Sequence, residues 1–172
     1  MNTDITKEFK AQSIFRLEEA LPRIIQCLNE LDEAQIWQRP NDNSNSVGNL
    51  VLHLSGNVRQ YIISNLGNQA DTRTRDAEFA AKEGHNRTEL SKRITATIQE
   101  SVQIIAQLTT EELLKERSVQ GFQQTGINSI IHVVEHFSYH TGQIAFWTKL
   151  LKDIDLAFYG DMDLNVKNEG GD

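Results

Sequence analysis

The chain has one cysteine and two prolines among its 172 residues, and these scarcities narrow its class. A single thiol, Cys27, forms no internal disulfide, which fits a reducing compartment. The glycosylation triplet Asn86-Arg87-Thr88 then reads as chance. Free cysteine is among the most buried residue types, so Cys27 is expected as a small apolar filler rather than a nucleophile. No stretch approaches the roughly 18 uninterrupted apolar residues of a membrane span. The opening "MNTDITKEFK" lacks the basic start, apolar run and cleavage site of a secretory signal. A cytoplasmic protein of one domain, residues 1–172, is the expectation, with no membrane partner. The 17 Lys and Arg residues are scattered among 24 Asp and Glu, for a net charge of −7. A large phosphate-binding footprint needs dense cations, so nucleic acid is not an expected partner.

What is present is helical periodicity. From Asp4 to about Leu31 the apolar residues Phe9, Ile14, Leu17, Leu21, Ile24, Ile25, Leu28 and Leu31 recur at intervals of three and four, the stripe of an amphipathic helix. Pro22 removes one backbone donor inside it, which predicts a kink or break near residues 18–22. "QRPNDNSNS" (38–46) reads as a loop, because its side chains compete for backbone hydrogen bonds in turns. Ser46 then caps a second helix over "VGNLVLHLSGNVRQYIISNL" (47–66), weakened by Gly48 and Gly56.

Residues 67–87 lose periodicity and gain charge of both signs. They predict a solvated crossover that contributes no core, with one helical turn around Ala77 to Lys82. A third helix spans about Thr88 to Leu108, and Thr109 with Glu112 has the spacing of a capping box for a short extra helix. "RSVQGFQQTG" (117–126) reads as a glycine-containing loop. A fourth helix, Ile127 to Leu151, carries apolar residues around much of its circumference and is expected to be the most buried. Phe158 and Tyr159 are expected to fold back, and the last residues to be disordered. With no strand pair evident, four amphipathic helices and a long connection between the second and third predict an all-α four-helix bundle.

The chemistry concentrates in "HVVEHFSYHTGQ" (132–143). Positions four apart on a helix are displaced by about 40° and about 6 Å, so His132, His136 and His140 form one drifting stripe. Imidazole is the commonest metal ligand, and neighbours four apart direct their nitrogens to one ion. His132 and His140 lie roughly 12 Å apart along the axis, so at most one pair of neighbours ligates. "HVVEH" matches the inverted zinc-protease pattern HxxEH, with Glu135 as the would-be base. That match leaves His140 unexplained, and a chain of this length leaves little room for a peptide cleft. Tyr139, Gln143 and Trp147 lie near the stripe, where they line a pocket or belong to the core. His53 is in the second helix and His85 in the charged connection.

The segments "SVGNLVLHLSGN" (46–57) and "HFSYHTGQI" (136–144), in this order and separation, resemble the DinB/YfiT-like superfamily of metalloenzymes. The resemblance runs from the first helix through Leu151. It implies a DinB-like four-helix bundle whose metal ligands are His53, His136 and His140, with His132 a packing or supporting group. Many members carry Arg where this chain has Thr141, so an anionic group is recognised differently here. Three imidazoles leave one position of a tetrahedral ion open, a catalytic pattern. The resemblance implies a divalent metal ion, zinc or nickel first and iron or manganese next, and homodimers. It also implies reactions dependent on a low-molecular-weight thiol such as bacillithiol or mycothiol. The expected function is thus a metal-dependent thiol S-transferase acting on a thiol and an electrophile. Metal-dependent hydrolysis and a non-catalytic, stress-associated metal- or ligand-binding bundle are the alternatives. The sequence assigns no catalytic acid or base.

Overall fold

The computed structural model describes residues 4–167; the expected disorder of the C-terminal end lies outside the described residues. Helix α1, Ile5–Glu30, is capped by Asp4, whose side chain accepts from the Thr6 amide. It runs unbroken through Pro22. Proline removes one donor, and the remaining backbone bonds keep the helix together while its face of Leu17, Ala20, Ile24, Cys27 and Leu28 is buried. Cys27 is fully buried, and burial raises its thiol pKa, as suits a filler.

A short helix α2, Glu33–Trp37, closed by a capping box between Asp32 and Gln35, precedes the 38–46 loop. Helix α3, Val47–Val58, begins at a second capping box between Ser46 and Asn49 and continues as a π-helical segment, Arg59–Ser64. Short helix α4, Arg75–Ala80, lies in the crossover. Helix α5, Arg87–Gln107, is capped by Asn86 and Glu89, and short helix α6, Thr110–Leu114, by Thr109 and Glu112. Helix α7, Gly126–Lys152, starts at Thr125 and ends at Asp153 in the left-handed conformation.

The four long helices α1, α3, α5 and α7 form the bundle. Helix α1 packs on α7 and α5, and α3 packs on the same two. No helix is long and apolar enough to cross a membrane among the described residues. Phe158 packs against the core, and Arg23 donates to the Tyr159 hydroxyl at 2.8 Å.

Three expectations are corrected. Residues 116–125 are not a plain loop: β1, Glu116–Val119, pairs antiparallel with β2, Phe122–Thr125. The two-residue turn places both Gln120 and Gly121 at positive φ, which suits the right-handed twist of the hairpin. A four-residue strand is too short for alternation to announce it. The most buried helix is α3, every residue of which is buried, whereas α7 leaves Ile131, Tyr139, Phe146 and Leu150 exposed. Apolar residues around a helix do not all find partners when one side lies outside the bundle. Finally, the crossover contributes to the interior: Glu78 is buried, and Ala81 packs against the core.

Candidate metal centre

Helix α3 presents His53, and α7 presents His136 and His140 one turn apart on the same face. Their side chains converge. His53 Nε2 lies 3.1 Å from His136 Nε2, and His140 Nε2 lies 3.2 Å from it. One nitrogen from each ring falls within 4.8 Å of the others. At metal–nitrogen distances of about 2.0–2.1 Å, tetrahedral ligands stand about 3.3 Å apart, so two edges of the triangle already match.

Hydrogen bonding fixes which nitrogens face inward. His53 Nδ1 is 3.0 Å from Glu78 Oε2, so Nδ1 carries the proton and donates it to the carboxylate. His140 Nδ1 is 2.7 Å from Gln143 Oε1 and donates in the same way. Both rings therefore turn an Nε2 lone pair toward His136 Nε2, which holds at most one proton and satisfies one of them. His136 Nδ1 is buried without a hydrogen-bond partner. Burial, then the neighbouring histidines His140 and His53, push His136 down to about 3. Burial also lowers His140, against the opposing bond to Gln143. Uncharged imidazoles with convergent lone pairs are the donor set of a divalent cation.

Glu78 is the residue that sequence reasoning missed. Its carboxylate is gripped by Arg73, with Nε 2.8 Å from Oε1 and Nη2 2.9 Å from Oε2. Arg73 Nη2 also lies 3.1 Å from His53 Nδ1, both donors being aimed at the shared carboxylate. Burial opposes ionisation of Glu78, but the bonds from Arg73 and His53 outweigh it and hold the carboxyl below its ordinary range. The crossover is pinned by Asn49, whose Nδ2 donates to the carbonyls of Glu78 and Ala81 at 2.9 and 2.7 Å. The legible signal lay elsewhere, in the glycines of α3. A Cβ at Gly56 would overlap Glu78, and one at Gly48 would meet the Trp37 ring at 2.8 Å. Glycines that weaken a helix also mark where neighbours approach closely.

His132 is not part of the triangle: its Nε2 accepts from Asn57 Nδ2 at 3.2 Å, and its ring lies tilted against Tyr61 with centroids 4.4 Å apart. Glu135 is exposed, outside the buried cluster. His85 lines a separate polar cavity beyond Glu78. Thr141 is buried, with its hydroxyl donating to the Phe137 carbonyl at 2.7 Å. Tyr139, Gln143 and Trp147 line a cavity next to the cluster.

Residues 4–159 match the family described as "Protein of unknown function (DUF1572)". No curated protein matches the chain. Similar solved structures include a conserved protein from Enterococcus faecalis, with TM-score 0.71 and 16% identity over 84% of this chain and 97% of that one. A DinB-like protein from Bacillus subtilis has TM-score 0.66 and 19% identity, covering 86% of this chain and 97% of its own. For a DinB-like protein from Bacillus cereus ATCC 10987 the values are 0.62 and 13%, covering 78% and 87%. At these identities the likeness is one of fold. The chain belongs to the DUF1572 family and has an all-α, DinB-like fold.

Proposed function

We propose that His53, His136 and His140 hold a divalent metal ion and that the protein is a low-molecular-weight-thiol-dependent S-transferase. The observation that carries the metal site is the convergence of two Nε2 lone pairs on a third imidazole, with the Nδ1 protons committed to Glu78 and Gln143. Zinc and nickel suit an imidazole set best, and iron and manganese are the further candidates. A divalent ion held by three imidazoles leaves a position for an outside ligand and supplies a Lewis acid that lowers the pKa of a thiol or water there.

The protein's own groups have defined tasks in this reading. Glu78 holds the His53 tautomer and raises the basicity of its Nε2, as carboxylates do behind ligating histidines. Arg73 keeps that carboxylate ionised and oriented. Gln143 sets the His140 tautomer with a neutral acceptor. The thiol reaction rests on the superfamily. The thiol gives its proton to solvent, its sulfur forms a bond to an electrophilic carbon, and the leaving group departs with the electron pair of the broken bond. Hydrolysis is the same displacement with water in place of the thiol.

Elemental analysis of the purified protein and of His53→Ala, His136→Ala, His140→Ala and His132→Ala, each checked for folding, tests the site. Near-stoichiometric metal lost in the first three and kept in the fourth supports it. Loss with His132→Ala and retention with His140→Ala would return the site to the HVVEH pair. A thiol-dependent absorption band in the Co²⁺-loaded protein tests the open position. Its absence, with metal bound, would favour a non-catalytic bundle.

A further inference from the structure

We propose that the cavity between the 38–46 loop and the C-terminal half of α7 binds an uncharged, flat, largely apolar molecule bearing one hydrogen-bonding group. This rests on the function proposed above, in which that molecule is the electrophile. The cavity has a volume of about 650 Å³, within the range of small-molecule sites. One wall is aromatic, built from Tyr139, Phe146 and Trp147, and the other is formed by Asn43, Ser44 and Asn45.

Charge decides the class of occupant. Among the described residues no Asp, Glu, Lys, Arg or His lines the cavity, in a chain of which 24% of residues are charged. An ion that leaves water for such a wall finds no counter-charge to offset its desolvation. The arginines near the histidines lie elsewhere. Arg59, Arg73 and Arg93 line a separate polar cavity with Glu78, and Arg73 meets His53 at its Nδ1 edge, 3.1 Å away. Thr141, neutral and engaged with the helix backbone, lines a different cavity, together with Arg16 and Arg23.

The aromatic wall suits a planar ligand. Tyr139 and Phe146 are 63% and 69% exposed, so their ring faces are free to stack, an arrangement worth about 0.5–1.5 kcal/mol beyond area burial. The amides and hydroxyl of the loop supply convergent polar groups for one end of the ligand. The cavity meets the histidine cluster through two of its lining residues, Tyr139 and Gln143. Gln143 lines it while accepting from His140 Nδ1, and the Tyr139 ring lies edge-on to the His140 ring with centroids 5.0 Å apart. An occupant therefore sits along α7 between Tyr139 and Leu150, with one end beside His140.

The test uses unreactive probes, 1,3-dinitrobenzene and its charged analogue 3,5-dinitrobenzoate, titrated into the full chain by tryptophan quenching. Trp147 lines the cavity, and a Trp147→Phe variant isolates the signal of Trp37, the other tryptophan. The neutral probe should bind roughly tenfold more tightly than the benzoate, and Phe146→Ala should weaken it. Leu150→Lys, at a position 62% exposed and so tolerant of the change, should reverse the preference. Equal or tighter binding of the benzoate, or indifference of both probes to Phe146→Ala and Leu150→Lys, would overturn the proposal. So would a concentration-dependent dimer that excludes the neutral probe and is dissociated by Phe146→Ala, since a second copy would then cover this face. Repeating the titration on metal-free protein and on His53→Ala separates the two claims. Selective probe binding without metal or turnover leaves the cavity standing and removes the transferase, whereas turnover without selective binding does the reverse.

Discussion

Glu78 occupies the space that a side chain at position 56 would fill: a Cβ on Gly56 would overlap its Oε1. The absence of a side chain on α3 thus admits the carboxylate that orients His53 one turn earlier on the same helix. Gly56→Ala should push Glu78 away from His53, at a cost of about 1–3 kcal/mol for forced repacking, and weaken metal binding as well. Urea unfolding and a metal titration measure the two effects. An unchanged metal affinity would mean that the close approach serves packing alone.

Glu78→Gln preserves shape and removes charge. It should lower metal affinity by roughly 10- to 100-fold, the usual loss when a carboxylate behind a ligating histidine is removed. A competitive chelator titration checks this, with His132→Ala as the reference that leaves affinity unchanged. Equal affinities in both variants would detach Glu78 from the metal site.

Tautomers offer a test that needs no metal. His53 and His140 should both carry their proton on Nδ1, because Glu78 and Gln143 accept there. Nitrogen-15 chemical shifts of the imidazoles report it directly. In Gln143→Ala the His140 ring should lose this preference while His53 keeps it. A proton on Nε2 of His140 in the parent protein would contradict the assigned donor set.

Acid should destabilise the metal-free protein. His136 is held down to about 3 in the fold against an ordinary value of 6.5, by burial and then by its histidine neighbours. The unfolded chain therefore takes up a proton at this position over that window and the folded one does not, so stability is complete above about 6.5 and falls as the pH drops toward 3. His140 is shifted in the same direction. Urea midpoints measured from neutral to acid pH check the slope, and the imidazole proton resonances check the site. A His136 that titrates near its ordinary value would remove the premise.

Asn49 ties the crossover to α3 through two bonds and closes the α3 cap with a third. Its Nδ2 donates to the Glu78 and Ala81 carbonyls, and its Oδ1 accepts from the Ser46 amide. Asn49→Ala leaves buried carbonyls without donors and should cost about 2–4 kcal/mol. The metal affinity should drop with it, since Glu78 loses its anchor. Equilibrium unfolding and the same chelator titration measure both; a loss under about 1 kcal/mol would show that the network matters little to stability.

Much of the fold was legible because amphipathic helices declare themselves locally. The stripe from Phe9 to Leu31 and the caps Ser46 and Thr109 are sequence patterns with mechanical consequences, and the structure has those helices. The hairpin at Glu116–Thr125 was not legible, because each strand has only four residues and the turn uses Gln120, not the more telling Asn or Asp, before its glycine. The histidines were visible by spacing on α7 and by family resemblance on α3. Their carboxylate and arginine partners were not, since Arg73 and Glu78 lie in a segment with the composition of a solvated loop.

The sequence by itself determined four amphipathic helices, an acidic chain with no apolar run long enough for a membrane-spanning helix, and a histidine pair one turn apart, because periodicity, charge and helical spacing are local properties. Only the tertiary structure decided that His53 meets that pair, that His132 turns instead to Asn57, and that a charged crossover delivers Glu78 into the interior. Those outcomes depend on which faces of different elements come together, and a buried carboxylate becomes stable only when Arg73 and His53 arrive at the same point to hold it.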